Sequence, residues 1–463
     1  MARILREYAT MPLELDIVVF TDTPRDLGAD VETQVHRYHP DPRALAFQHR
    51  RLFVERAHLY DLFVYSEDDV LLTGKNIVAF LDVASSLPTD EVPGFLRYEV
   101  SPNGHRFYPD IHSGYHWDPG SVSTHGDLVF ATLTNPHSGC YVLTQAQLRQ
   151  CIQSGGFDVG PHRGRTDVLV SAATDPYVRC GLEKRLCITR LREFEVHHLS
   201  NAYVGRMGVD EDVLGHQLRA IGLIARGDLS YHQLLPRTPT LESDWWEKAY
   251  DEPLSDETYA AIPSTSQDVL LVGTGSGQGE QRLVTSGRRV TGIPLDEIVG
   301  QVGASRGVRQ LGSHPDVALD ALQGHGEVFS TILILNLLHH LEDPVTLLRR
   351  LTPVVAAGGV LVVATPNYRY YRFRRALGRP SPPVPGWSGQ HRTGVHDAGP
   401  RAVEMWMVAA GFVPTRRIYQ FRGRPQGSRF SRWFGSLFSA GAVVSAQLPT
   451  RPDPALAPSG RRC

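Results

Sequence analysis

Lysine is nearly absent from this chain. Lys75, Lys184 and Lys248 stand among 47 basic residues, and the rest are arginine. Arginine suits bidentate anion contacts, but so uniform a replacement is what a GC-rich genome produces, so arginine abundance alone locates no phosphate site. Cysteine is scarce. Cys140, Cys151, Cys180, Cys187 and Cys463 form no CxxC pair, and an odd, sparse set suits a reducing compartment. No run reaches the roughly 18 apolar residues of a membrane span. The start, from Met1 to Tyr8, has no apolar stretch of a secretory signal, so the cytoplasm is the expected location. Excess charge is missing as well: 47 basic against 49 acidic residues give −2, which argues against a nucleic-acid partner held by bulk charge. What is present is globular: 463 residues, 41% hydrophobic and 21% charged. That length is too great for one core and implies several domains.

The expected boundary lies at 227–266. Pro, Ser and Thr interrupt every periodic pattern there. Trp245 and Trp246 are too costly for a bare linker and are expected in a short docked helix. On this division residues 1–226 form one domain, 267–430 a second, and 431–463 a basic, partly disordered tail. Before the boundary, strands at Asp16–Asp22 and Asp61–Tyr65 alternate with helices, and Thr144 is placed to cap a helix from Gln145. After it, apolar strands at Asp268, Arg289, Thr331 and Gly359 form a βαβ series, the signature of a parallel sheet covered on both faces.

Glu67-Asp68-Asp69 directly follows an apolar strand. Acids at a strand's carboxyl end face the crevice where α/β sheets bind ligands. Three adjacent carboxylates favour a hard divalent ion, Mg²⁺ or Mn²⁺, which takes one or two carboxylates plus substrate phosphates. A solvated turn is the plainer alternative. The segments Tyr60–Val70, Pro93–Glu99, Asn135–Leu143 and Phe194–Tyr203 resemble GT-A-type glycosyltransferase-like domains over about residues 1 to 225. The resemblance implies a mixed-sheet nucleotide-sugar domain and a divalent metal held by Glu67, Asp68 and Asp69. A histidine, His198 or its neighbour His197, would complete the shell. The chain departs from the pattern at its start: it opens on the helix expected after the first strand, so that strand and its nucleotide-gripping loop are missing. Asp167 is the candidate catalytic base, with Asp175 and Glu183 in the same zone.

The second half carries Val272-Gly273-Thr274-Gly275-Ser276-Gly277 between a strand and a helix. Such a turn lets a ligand approach the backbone closely, and both a dinucleotide and S-adenosylmethionine fit it. The segments Phe329–Pro344, Leu347–Leu351, Ala357–Asn367 and Trp406–Phe412 resemble class I methyltransferases that use S-adenosylmethionine (SAM), over about residues 245 to 425. The resemblance implies a Rossmann-like fold with Gly273, Thr274, Gly275, Gly277, Asp296 and Asn336 at the cofactor. His339, His340, His391 and His396 are candidate bases, and His396 is preferred because it lies in the acceptor-side insertion. Three carboxylates of the pattern are absent. Leu271, Pro294 and Ser330 occupy their places.

Thirteen arginines lie between Tyr368 and Ser436. They suit an anionic acceptor, although the arginine bias makes a solvated basic face the plainer reading. Trp433–Phe438 suits a membrane-surface contact. The expectation is therefore a fusion: a metal-dependent nucleotide-sugar transferase and a SAM-dependent methyltransferase acting on one glycan or glycolipid. Two alternatives remain at this point. In one, only the methyltransferase is active and the first domain holds the acceptor. In the other, both halves are non-enzymatic binding modules.

Overall fold

The computed structural model describes residues 1–37, 41–163, 166–235, 246–379, 390, 394–421 and 437–449. The chain divides into two compact units, Met1–Tyr231 and His232–Cys463.

The first unit is mixed α/β. It opens on helix α1 (Ala2–Tyr8), followed by strands β1 (Ile17–Thr21) and β2 (Val31–Val35), which pair in parallel. Helix α2 (Gln48–Arg56) leads to β3 (Leu62–Ser66) and the short β4 (Val70–Leu71), with the acidic turn between them. Helix α3 (Gly74–Ala84) starts at Thr73, whose hydroxyl and the Asn76 amide form a reciprocal capping box. The remaining strands are β5 (Glu91–Pro93), β6 (Leu96–Val100), β7 (Arg106–Tyr108), β8 (Trp117–His125), β9 (Leu128–Leu133), β10 (Cys140–Thr144), β11 (Glu183–Cys187), β12 (Glu195–His198) and β13 (Val209–Asp210). Helices α4 (Gln145–Gln153), α5 (Val168–Val178) and α6 (Glu211–Ala225) lie among them. Thr144 caps α4 as expected, with Gln147 closing the box. The strands form small sheets rather than one: β10-β3, β5-β11-β9-β8 and β13-β7-β6-β12-β4, with parallel and antiparallel pairs mixed.

The second unit is one seven-stranded sheet. Its elements are α7 (Asp256–Ala261), β14 (Asp268–Thr274), α8 (Gln278–Thr285), β15 (Arg289–Pro294), α9 (Glu297–Ser305), β16 (Arg309–Gln310), α10 (Pro315–Gly324), β17 (Phe329–Leu335), α11 (Pro344–Leu351), β18 (Val355–Pro366), α12 (Tyr368–Ala376), α13 (Pro400–Ala409), β19 (Val413–Gln420) and β20 (Gly441–Gln447). The order is β16-β15-β14-β17-β18-β20-β19. Strands β14 to β18 run parallel and β20 antiparallel to both neighbours. Val269, Leu270, Leu271 and Val272 are all buried, as a strand covered on both faces requires.

Two placements differ from the sequence reading. Residues 441–447, expected within a basic, partly disordered tail, form the buried strand β20 between β18 and β19. Its core, Ala442-Val-Val-Ser-Ala446, is a short strand signal hidden among basic and proline-rich neighbours. Much of the expected linker belongs to the second unit. Trp246 packs edge-on against Tyr368 and Tyr371, and Leu254 and Ala261 join the core. Trp245, Trp433 and residues 450–463 lie outside the described residues. Among those described, no helix is long and apolar enough to cross a membrane.

Candidate functional site

The second unit's cleft lies where the strand order reverses, between β14 and β17. Open α/β sheets bind ligands at the carboxyl ends of strands at such a point. The glycine-rich turn stands there. Gly273 and Gly277 have φ of +81° and +91°, a region costly for any side chain. A Cβ on Gly275 would lie 2.1 Å from the Tyr250 carbonyl oxygen. That carbonyl accepts the Ser276 N–H at 2.6 Å. Buried Glu280 accepts the Gly275 N–H at 3.1 Å. The turn is thus held from both sides, by residues upstream of β14 and by α8.

The named cofactor residues separate on inspection. Thr274 turns away and donates to Gln310 at 3.2 Å. Asp296 is fully buried as the N-cap of α9, accepting from Val299 N–H at 2.9 Å, and Gln233 bridges to its backbone. That cap starts the helix that follows β15. Asn336 does reach the cleft. It ends β17 with φ +40°, and its amide donates to Glu252. The other oxygen of Glu252 accepts from Lys248. These two residues were missed because they sit in the expected linker. The rarity of lysine and the i,i+4 spacing were the available signals.

His339 and His340 flank this group with ring centroids 4.1 Å apart. Burial, and then the neighbouring His340 and Lys248, hold His339 well below its ordinary pKa, and burial with Lys248 pushes His340 down to about 3. Both imidazoles are neutral at physiological pH. His396 has a different job from the one expected. Its N–H donates to the His339 carbonyl at 2.7 Å, and Nε2 lies 2.9 Å from the Leu341 carbonyl. It clamps the loop carrying the other two histidines. His391 lies outside the described residues.

In the first unit the acidic triplet does not converge. Asp69 and His198 meet, Oδ2 to Nε2 at 3.0 Å. His198 Nδ1 lies 2.6 Å from buried Glu99. Burial opposes charge on His198, but the hydrogen bonds it donates to Asp69 and Glu99 outweigh it and raise its pKa. Glu67 turns inward, 3.9 Å from His137, and burial pushes it up to about 7. Asp68 is exposed, and its carbonyl accepts from the Met1 amine at 3.3 Å. Among the described residues no three His, Cys, Asp or Glu side chains group as a metal shell. The expected shell of Glu67, Asp68, Asp69 and His198 is corrected accordingly: a tight turn sends adjacent side chains in different directions. His197 points to the other face of β12 and stacks on Tyr98 at 4.8 Å. Asp167 caps α5, accepting from Val170 N–H at 3.0 Å, with Arg43 3.8 Å away. Asp175 is buried against Arg50 at 2.7 Å. Glu183 accepts from Thr132 at 3.0 Å.

Comparison with known proteins bears on the second unit. Residues 270–363 match the family model described as methyltransferase domain. The ubiquinone biosynthesis O-methyltransferase of Hydrogenovibrio crunogenus is 26% identical over 148 residues, which are 30% of this chain and 61% of that protein. The chain thus spans about three fifths of that relative's length. Among solved structures, the CcbJ methyltransferase of Streptomyces caelestis has a TM-score of 0.32 at 15% identity, covering 43% of this chain and 92% of its own. The N-methyltransferase NodS of Bradyrhizobium japonicum, in complex with S-adenosyl-L-homocysteine, has a TM-score of 0.28 at 17% identity, covering 42% and 84%.

Proposed function

We propose that the second unit, a methyltransferase domain of the class that uses SAM, methylates an oxygen of an acceptor bound beside His339 and His340. The observation that carries this reading is the glycine-rich turn at the strand-order reversal, inside the matched segment 270–363. The described residues fit the cofactor: a turn open to close approach at the end of β14, with a carboxylate, an amide and an ammonium gathered beside it. The oxygen acceptor is supported by the name of the relative from Hydrogenovibrio.

The cofactor supplies a methyl group on a sulfonium. The chain's residues orient and shield. Tyr250 and Glu280 fix the turn. Neutral His339 and His340 wall the cleft without repelling a cation. With its pKa pushed down to about 3, His340 would accept a hydrogen bond from the acceptor hydroxyl, and the proton released on methylation passes on to solvent water rather than staying on the imidazole. His340 positions the acceptor, and His396 positions it in turn through the loop it clamps. Orientation and exclusion of water are the main contributions expected of such a site. Calorimetry with SAM and S-adenosyl-L-homocysteine tests the reading. Micromolar binding of both is expected, and binding of neither by the folded protein would sink it.

A second reading concerns the first unit: a nucleotide-sugar transferase of GT-A type, whose glycan or glycolipid product is then O-methylated. The Asp69–His198–Glu99 line favours it. Asp69 and His198 would be the two groups able to hold a Mg²⁺ or Mn²⁺ ion, which would neutralise charge on a departing diphosphate; here they are hydrogen-bonded to each other. Glu99 would orient the histidine from behind. The described residues offer two ligands, and diphosphate oxygens would complete the shell. Mn²⁺-dependent binding of a nucleotide sugar, lost in Asp69→Ala, is the expected result. If no nucleotide sugar binds, the unit serves only to hold an acceptor.

A further inference from the structure

We propose that Lys248 and Glu252 receive the amino-acid end of the cofactor, Glu252 its ammonium and Lys248 its carboxylate. The inference rests on the methyltransferase reading above.

The usual acids are gone from the sheet. Leu271 is buried in the core, and Ser330 is engaged with the Asp268 carbonyl at 2.8 Å. Asp296 is committed to capping α9. A zwitterion at the end of β14 therefore needs partners from elsewhere. The segment before α7 brings them. Lys248 has 3% of its side chain exposed, yet its ammonium reaches the mouth of the cleft at Glu252, which is 18% exposed. Glu252 also holds Asn336, at the end of β17. Between them in sequence, the Tyr250 carbonyl is bonded to the glycine-rich turn itself.

Anchoring the segment does not require this pair. Trp246 fixes one end against Tyr368, and Ser255, which caps α7, fixes the other. A buried ion pair adds little stability, because desolvation of both charges offsets their attraction. A pair placed at the strand-order reversal suits a different task. Its charges match those of an amino acid, sign against sign, so opening around that ligand leaves neither charge uncompensated.

The test is calorimetry of the full chain with SAM and with decarboxylated SAM, which lacks the α-carboxylate. Wild type is expected to prefer SAM. Lys248→Met should bind SAM about 10- to 100-fold more weakly, the range of one charge-assisted hydrogen bond, and bind the decarboxylated ligand unchanged. Glu252→Gln should weaken both. Because either change strands a buried charge, the double variant Lys248→Met/Glu252→Gln, which removes both charges, serves as the folded control and should lose both contributions. A merely structural pair would shift the melting temperature and leave the ratio of the two affinities as in wild type. That result overturns the proposal, as does wild-type affinity in Glu252→Gln. If folded wild type binds neither ligand, it is the methyltransferase reading that fails.

Discussion

The two units fill their interiors differently. The second is built on a single sheet whose central strands are buried and largely apolar, and its buried charges among the described residues, Lys248, Glu280, Asp296 and Glu297, lie outside the strands. The first is assembled from small mixed sheets, and charge runs through its core: Arg50 with Asp175, Arg97 with Asp110, Glu195 with Tyr108 and Arg106, and buried Lys184. Burial pushes the Lys184 ammonium down to about 8, and Gly94 leaves room for its stem, which a Cβ there would meet at 2.4 Å. A perturbed buried charge marks a site only where its surroundings are otherwise apolar. In the second unit Glu280 is such a group: burial pushes its carboxyl up beside the glycine-rich turn. In the first, ion pairs hold small sheets together, and Asp175, which lies in the zone searched for a base, is one of them.

The largest effect that sharpens this contrast is expected from Arg50→Met. It strands Asp175 in the core and should cost the first unit about 3–5 kcal/mol, measured by urea unfolding. A loss below about 1 kcal/mol would mean that the first unit's ion pairs are not structural, and the contrast would weaken.

Glu67→Gln comes next, with opposite sign. The folded carboxyl has a pKa near 7 against an ordinary 4.5, so its protonated form is favoured by folding. Its contribution is fully present below pH 4.5 and is lost as pH rises through 7. Glutamine does not titrate. The variant should match wild type at pH 4 and be more stable by roughly 2–4 kcal/mol at pH 8, at about 1.4 kcal/mol per pKa unit. Equal pH profiles for the two proteins would refute the burial of Glu67 as a neutral acid.

Gly275→Ala probes the other unit. Its methyl would collide with the Tyr250 carbonyl, so the segment carrying Lys248 and Glu252 must shift. Overpacking of this kind costs about 1–3 kcal/mol, and SAM affinity should fall with it. Unchanged affinity would show that the segment and the turn are independent.

Asp167→Ala should have the smallest effect, about 1 kcal/mol, the worth of an N-cap. Glycosyl transfer, if the first unit performs it, should persist. A loss of turnover at full stability would restore Asp167 as a base.

Four strands of the second unit's sheet, β14, β15, β17 and β18, were legible as largely apolar runs; the polar β16 and β19 offer no such run. The strand β20 was not legible, because composition over a window does not register the four apolar residues Ala442, Val443, Val444 and Ala446. The cleft was half legible. Gly273, Gly275 and Gly277 form the turn at the end of β14 and Asn336 follows β17, whereas the side chains of Thr274 and Asp296 are engaged with Gln310 and the Val299 N–H; a motif names positions and not the direction in which a side chain leaves the backbone. In the first unit the acidic turn was found, but only Asp69 meets His198.

Sequence by itself determined the backbone's local choices: where strands run, where Thr73 and Thr144 start helices, and where glycine must turn the chain. These depend on near neighbours, through periodicity, capping and φ. Only the tertiary structure decided which charges meet. Asp69 directly precedes β4 and His198 ends β12, strands far apart in sequence that pair side by side. Lys248, Glu252 and Asn336 converge because a segment upstream of the sheet folds back over the end of β17. Electrostatic and hydrogen-bonded partners act over a few ångströms of space, and separation along the chain carries no record of that distance.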